Sequence, residues 1–282
     1  MYYKPTEEIL SQRYLLLEMQ SDRFWEWAEE TKSGSVNYLI NYCTLEGYEF
    51  DLPPIEKQRE LAELLWAAND LKESYKKLII ATDEMLKAKF REMFGGGRVP
   101  VASLDSLAAL WLKGQPFKKD SILKDGKNPC IHYGELFTKY GPVINEVVSL
   151  TNESIAKSSV EGDILFPASD VTPDGLSRCS ALMQSSVLLG GDIVCLRPKM
   201  GNDSKYLSYA INQQREQLLK CITGGVVKHI SAKSIKSVNI PLPSLSLQHE
   251  FVAIAELAEK TKIGLKKSIA DLEAVIKGLI NG

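Results

Sequence analysis

One stretch of the sequence occurs twice, and its two copies begin 190 residues apart. The first copy opens with Leu52-Pro53-Pro54-Ile55 followed by Gln58, and the second opens with Leu242-Pro243-Ser244-Leu245 followed by Gln248. A proline in the first turn of a helix sacrifices no hydrogen bond, and each copy then continues for several turns without a helix breaker. A repeat of this kind constrains the fold strongly, because both copies are expected to adopt the same structure.

The two copies predict two long helices, at residues 52–94 and 244–282, with a glycine linker at 95–97 after the first. Apolar side chains recur along both at alternating steps of three and four, the heptad pattern of a coiled coil. Two such stripes bury each other most simply, so we expect the helices to pair. The predicted interface residues are Leu61, Leu64, Leu71, Leu78, Phe251, Ile254, Leu265 and Leu272.

The repeat also extends upstream of the helices. Tyr14-Leu15 resembles Tyr206-Leu207, and Arg23 parallels Arg215. Residues 1–51 therefore read as the last third of a domain whose complete copy occupies residues 98–243.

Composition and charge narrow the class of protein. Apolar residues make up 44% and charged residues 25% of the chain, as in soluble globular proteins. The net charge is −2, but residues 98–243 carry 17 Lys and Arg against 13 Asp and Glu, which leaves an acidic remainder. A basic domain on an acidic carrier is what attraction to phosphate requires.

The sequence argues against a metal site, a disulfide framework, a membrane span and a secretory signal. The five cysteines form no CxxC pair, and no two of the three histidines have metal-ligand spacing, so we expect neither a metal nor a disulfide framework. No apolar run is long enough to span a membrane. The N-terminus, with Lys4, Glu7 and Glu8, does not resemble a secretory signal, so we expect a cytoplasmic protein.

Three further segments carry family-like motifs: Gly114–Gly141, Glu161–Ser169 and Gly224–Pro243. Together with the helix openings, they resemble the DNA-specificity subunits of type I restriction-modification systems. The resemblance implies an α+β fold: a target recognition domain with a mixed β-sheet and short helices, plus two long helices in an antiparallel coiled coil. It also implies double-stranded DNA, methyltransferase subunits and, through the complex, a restriction or translocase subunit as partners.

This sequence departs from the family plan in one respect, because only one recognition domain is complete. It resembles a truncated or half specificity subunit, and a homodimer would restore two-fold geometry.

Candidate DNA contacts come from loops that combine basic, hydroxyl and aromatic side chains, which suit phosphate and base edges. They are Lys113, Gln115, Lys118, Lys119, Tyr133, Glu135, Thr138, Lys139, Tyr140 and Lys228. A solvated basic loop at 113–119 and tyrosines packed in the core are open alternatives. His229 is equally consistent with a packing role, and Ser169-Asp170 is more typical of a turn.

We expect no catalytic activity and no cofactor. Asp51-Leu52-Pro53-Pro54 departs from an amino-methyltransferase motif, and Gly95-Gly96-Gly97 follows a helix rather than a strand, unlike a cofactor loop. Two further interpretations stay open: a scaffold, decoy or remnant that binds methyltransferase subunits through its coiled coil without reading DNA, and a fragment of a larger enzyme.

Overall fold

The structure is a computed structural model that describes residues 9–34, 39–154, 156 and 158–281. Residues 1–8 and 35–38 of the predicted domain remnant lie outside the described residues. The helices are α1 (Gln12–Glu18), α2 (Asp22–Thr31), α3 (Tyr42–Leu45), α4 (Ile55–Phe94), α5 (Leu104–Leu107), α6 (Glu135–Thr138), α7 (Pro173–Leu176), α8 (Ser204–Asn212), α9 (Arg215–Lys220), α10 (Ala232–Ile235) and α11 (Leu245–Asn281).

The strands are β1 (Val101–Ser103), β2 (Ala108–Lys113), β3 (Ile122–Leu123), β4 (Asn128–Ile131), β5 (Val143–Ile144), β6 (Leu150–Thr151), β7 (Asp163–Pro167), β8 (Ser169–Asp170), β9 (Ser180–Leu182), β10 (Leu188–Leu189), β11 (Ile193–Pro198), β12 (Ile222–Thr223), β13 (Lys228–Ile230) and β14 (Asn239–Pro241). The chain divides into two compact units. One comprises residues 1–84 and 258–282, and the other comprises residues 85–257. None of the described helices is long and apolar enough to cross a membrane.

In the first unit, α4 and α11 run antiparallel. Leu65 near the start of α4 packs with Ile276 and Leu279 near the end of α11. Further along α4, Asp83 Oδ1 accepts a hydrogen bond of 2.6 Å from Lys262 Nζ of α11. Because rising residue numbers on one helix meet falling numbers on the other, the predicted antiparallel pair and the α+β class are confirmed.

The predicted seam on α4 is out of phase with the buried one, and this part of the prediction is corrected. Leu64, Leu71 and Leu78 are 51%, 43% and 48% exposed, whereas Ala62 and Leu65 are buried. Neighbouring residues on a helix point about 100° apart, and apolar side chains on α4 form two adjacent stripes. The prediction followed the stripe of large side chains, but the buried stripe is the other one, which contains the small Ala62.

The other predicted seam residues are more buried than Leu64, Leu71 and Leu78. Leu61 is half-buried on α4. On α11, Phe251 is fully buried, while Ile254, Leu265 and Leu272 are half-buried.

The two repeat copies share a hydrogen-bonded clamp at the start of each long helix. Gln58 Oε1 accepts from the backbone N–H of Ser11 at 2.9 Å, and Gln248 Oε1 accepts from that of Asp203 at 2.9 Å. The side-chain amides of both glutamines donate to the proline carbonyl five residues earlier in the chain. Ser11 and Asp203 precede α1 and α8, so each glutamine ties a short helix to the long helix that follows it.

The second unit is built on a five-stranded mixed sheet of order β2-β11-β7-β9-β5, in which only the β5–β9 pair is parallel. Successive residues of a strand point to opposite faces. Accordingly, Ile164 and Phe166 of β7 join a large core with Phe251 and Tyr206, while Leu165 joins a second core with Ile131. Burial on both faces explains the continuous apolar run of β7.

A four-stranded sheet (β10-β4-β6-β3) and a three-stranded sheet (β12-β13-β8) carry the loops beside this central sheet. Three of the five thiols, those of Cys130, Cys179 and Cys195, are buried. Cys221 is half-buried and Cys43 is exposed.

Candidate DNA interface

Three adjoining clefts, here called the triple cleft, open on the second unit. Their volumes are about 670, 310 and 420 Å³. The first two share Tyr133 and His132, the last two share Lys113 and Asp192, and the first and third share Ser169. The shared residues make the three clefts neighbours on one surface.

Close backbone contact between two loops forms the middle cleft. A Cβ atom on Gly114 would lie 1.8 Å from the carbonyl oxygen of Gly190, so only glycine fits there. The backbone N–H of Gln115 donates to Leu189 O at 2.8 Å and fixes the register of the two loops. The loop that begins at Gly114 thus lies beside the turn that carries Asp192.

Four lysines lie on or next to the triple cleft. Lys113 borders two of the clefts, and Lys119 and Lys139 border the largest. Lys118 is exposed next to Lys119 in the chain. All four side chains are exposed, and their contact with phosphate stays a prediction.

The Glu135 carboxylate is engaged inside the protein. Its Oε2 accepts from the backbone N–H of His132 at 2.9 Å, and its Oε1 accepts from Lys139 Nζ at 3.1 Å and from the Ser149 hydroxyl. These bonds brace the start of α6 and orient the Lys139 ammonium group, which also donates to Ser149 Oγ at 2.8 Å. Glu135 lines the largest cleft as a positioning residue.

Two other predicted contacts have partners within the protein. The Gln115 side chain accepts from the backbone N–H of Ala156 at 2.7 Å and donates to Ser154 O at 2.9 Å, which pins that loop. The Tyr140 hydroxyl accepts from the backbone N–H of Val148 at 3.3 Å, and burial raises the pKa of Tyr140. Tyr140 packs against the second core, and it is not among the residues that line the triple cleft.

An aromatic wall separates the first two clefts. The rings of His132 and Tyr133 lie 4.4 Å apart with a tilt of 40°. Burial lowers the pKa of His132, which favours the neutral imidazole near neutral pH. Thr138 is exposed on the wall of the largest cleft, where its hydroxyl donates to Gly134 O at 2.8 Å and keeps acceptor capacity.

The β12–β13 hairpin forms the far wall. Lys228 pairs with Asp170 in the strand register, and its Nζ donates to Gly225 O at 3.1 Å. His229 Nδ1 lies 2.9 Å from Ser169 Oγ, so Ser169 and His229 meet as neighbours on this wall. The hairpin turn projects Val226, which is 88% exposed.

Sequence reasoning missed His132 and Asp192, which line the triple cleft. Asp192 presents an exposed carboxylate to two clefts, and the Gly190-Gly191 pair before it was the available signal, since paired glycines mark turns with close backbone approach. His132 carried no signal, because its place depends on the contact with the distant loop at Gly190.

Comparison with solved structures identifies the same architecture elsewhere. The HsdS subunit from Thermoanaerobacter tengcongensis is 17% identical with a TM-score of 0.51, covering 97% of this chain and 70% of that one. The type I restriction-modification S subunit from M. genitalium is 16% identical with a TM-score of 0.62, covering 97% and 72%. A chain from a structural study of type I complex assembly and conformational transition is 16% identical with a TM-score of 0.64, covering 98% and 71%.

No curated protein shows significant sequence similarity to the chain. The family model of the type I restriction modification DNA specificity domain matches residues 99–274, more than half of the chain. Domains of this family are non-catalytic and recognise DNA. The chain therefore belongs to the type I restriction-modification DNA specificity family.

Proposed function

We propose that the chain is a sequence-specific DNA-recognition subunit that directs type I methyltransferase and restriction subunits to a split target sequence. The observation that carries the proposal is the triple cleft, a concave surface with Lys113, Lys119 and Lys139 on its walls and polar side chains between them. Family membership supplies the class of ligand.

In the proposed interface, the lysines contact phosphates and set the position of the duplex. Base edges are read from the interior of the surface, where Asp192 can accept a hydrogen bond from a cytosine amino group. The Tyr133 hydroxyl can donate or accept, and the Thr138 hydroxyl, which already donates to Gly134 O, can accept. Lys228 stands at the hairpin wall as a further phosphate contact.

The exposed stripe on α4 supports docking of other subunits. Leu64, Leu71 and Leu78 are spaced by seven residues and remain exposed in the helix pair, so they offer a second heptad stripe to a helix from a methyltransferase subunit. One complete recognition domain per chain reads one half of the target. Two copies in a homodimer would read two inverted halves.

The test is DNA binding by Lys118→Gln/Lys119→Gln, compared with Lys266→Gln/Lys267→Gln. The control pair is also exposed and adjacent, but it lies on α11. Loss of two phosphate contacts should weaken binding to DNA of any sequence and reduce the salt slope by about two. The control should bind like the wild type.

Equal affinity and slope in all three proteins would contradict the proposed interface. If the wild-type chain bound methyltransferase but showed no salt-dependent DNA binding, the scaffold interpretation would replace it.

A further inference from the structure

A separate cavity of about 220 Å³ lies on the second unit, and helices α4, α6, α8 and α9 contribute to its walls. It shares no lining residue with the triple cleft. Helix α6 borders both, because Leu136 lines this cavity whereas Glu135 and Thr138 line the largest cleft. A duplex held in the triple cleft therefore does not by itself account for the cavity.

The charge of this cavity is positive. Lys87, Arg178 and Arg215 line it, and no acidic side chain does among the described residues. Asp174, outside the lining, holds both guanidinium groups: its Oδ2 accepts from Arg178 Nη2 at 2.9 Å and its Oδ1 accepts from Arg215 Nη2. Within the described part of the chain Lys87 forms no ion pair, so one carboxylate leaves two positive charges uncompensated.

The remaining hydrogen-bonding capacity of the cavity lies in its cations. The Ser180 hydroxyl donates to Gly141 O at 2.7 Å, and Asn212 Nδ2 donates to Cys179 O at 2.9 Å. The ion pairs of Asp174 contribute little to folding stability, because the carboxylate is about half exposed. A group that fills the cavity must therefore be a negatively charged acceptor.

The internal repeat shows that the charge of Lys87 is not needed for packing against the neighbouring helix. At the offset of 190 residues Lys87 matches Lys277, whose Nζ lies 3.5 Å from Asp22 Oδ2 in the first unit. At the offset of 192 residues that aligns α1 with α8, Asp22 matches Gln214. The second unit thus keeps the lysine and has a neutral side chain in place of the acid, which leaves the ammonium group available to an anion.

We propose that this phosphate cavity, defined by Lys87, Arg178 and Arg215, binds a free phosphate group, either inorganic phosphate or the terminal phosphate of a small molecule. Such a group carries about −1.5 to −2 charges at pH 7, which matches the two uncompensated positive charges. Guanidinium groups bind phosphate oxygens in pairs, and an ammonium group adds a point charge. The bound group would bridge α4 and α9. A DNA phosphodiester has the same oxygens but one charge, and the experiment separates the two sources.

The test is calorimetric titration of inorganic phosphate into the full chain at constant ionic strength. The cavity variant is Lys87→Gln/Arg215→Gln, and the matched control is Lys77→Gln/Lys220→Gln, which removes two exposed lysines from the same helices outside the cavity. We expect saturable binding to the wild type and the control, and at least tenfold weaker binding to the cavity variant. Absence of binding to the wild type, or equal affinity in all three proteins, would overturn the proposal.

A second variant guards against a disturbance of α9. Lys87→Glu leaves both arginine ion pairs in place and adds a negative charge to the cavity, so it should also weaken phosphate binding at least tenfold without changing thermal unfolding. Wild-type affinity in this variant would count against the site.

The same proteins measured with DNA distinguish the source of the phosphate. For a free phosphate, DNA affinity and its salt slope stay at the wild-type values in the cavity variant. A salt slope reduced by about two would mean that the DNA backbone occupies the cavity, and it would overturn the assignment to a free phosphate. The proposed function is tested separately by the Lys118→Gln/Lys119→Gln variant, so the two can fail independently.

Discussion

At the scale of residues, Glu18 shows how one carboxylate organises the N-terminal segment. Its buried side chain accepts hydrogen bonds from Arg23 Nε at 2.6 Å and from the Tyr48 hydroxyl at 2.6 Å. Burial alone would raise the pKa of Glu18, but the bonds from Arg23 and Tyr48 outweigh it and the pKa is lowered. A lowered pKa means that the ionised carboxylate stabilises the folded state.

We expect Glu18→Gln to lower the free energy of unfolding by about 1–3 kcal/mol at pH 7, because a charged acceptor of several hydrogen bonds is lost. The wild-type advantage is present above the pKa of the unfolded carboxyl and disappears as the pH falls through the lowered folded value. Urea unfolding followed by tryptophan fluorescence at pH 7 and at acidic pH measures both effects. The exposed Glu29→Gln is the control, and an equal loss in both variants would contradict the role of Glu18.

Residue chemistry alone identified part of the candidate interface. Glycine-flanked loops predict five contact residues that line the triple cleft in the structure: Lys113, Lys119, Tyr133, Thr138 and Lys139. Gln115 and Glu135 have equally suitable chemistry, but their polar atoms bond to residues that lie up to 41 positions away in the chain. Such pairings are set by the fold, so the sequence pattern could not reveal them. The contact roles themselves stay predictions.

At the scale of elements, the helix pair shows what a heptad pattern determines. The repeat and the prolines predicted two long helices, and α4 and α11 were found at Ile55–Phe94 and Leu245–Asn281. The phase was missed because Leu64 and Leu65 are adjacent and both apolar. Burial against Ile276 and Leu279, rather than the identity of either leucine, decides which one lies in the seam.

Alanine substitutions at the neighbouring positions 64 and 65 test which apolar stripe of α4 is buried. Leu65→Ala should lower the free energy of unfolding by about 2–5 kcal/mol, because it leaves a cavity in a packed interface. Leu64→Ala should change it by only about 0.5 kcal/mol, because the side chain is half exposed. Chemical denaturation of both variants makes the comparison, and the reverse order would show that the predicted stripe is the buried one.

The exposed stripe has a separate test. Leu64→Glu/Leu71→Glu should weaken binding of a methyltransferase subunit at least tenfold while leaving the unfolding transition near that of the wild type, because both side chains already face solvent. Calorimetric titration with purified methyltransferase gives the affinity. Glu63→Gln/Asp70→Asn, also exposed on α4, is the control for a general effect of surface charge. Unchanged affinity would remove this stripe from the docking surface.

At the scale of the whole molecule, one chain combines a complete recognition domain with a structural copy of that domain's last part, and a long helix follows each. The sequence indicated this organisation because the repeat preserves the residues that start helices and clamp them, such as Gln58 and Gln248. It could not indicate the triple cleft, because the loops that form it lie far apart in the chain and meet through contacts such as that between Gly114 and Gly190.

The most direct test of the central claim is base-resolution mapping of methylated DNA in a host that expresses this chain with its methyltransferase and has no other specificity gene. The account predicts one split motif whose two halves are inverted repeats, because a single kind of complete recognition domain reads both. Methylation should fall at that motif in the Lys118→Gln/Lys119→Gln variant. Absence of any motif, or a motif whose methylation is unaffected by that variant, would contradict DNA reading through the triple cleft.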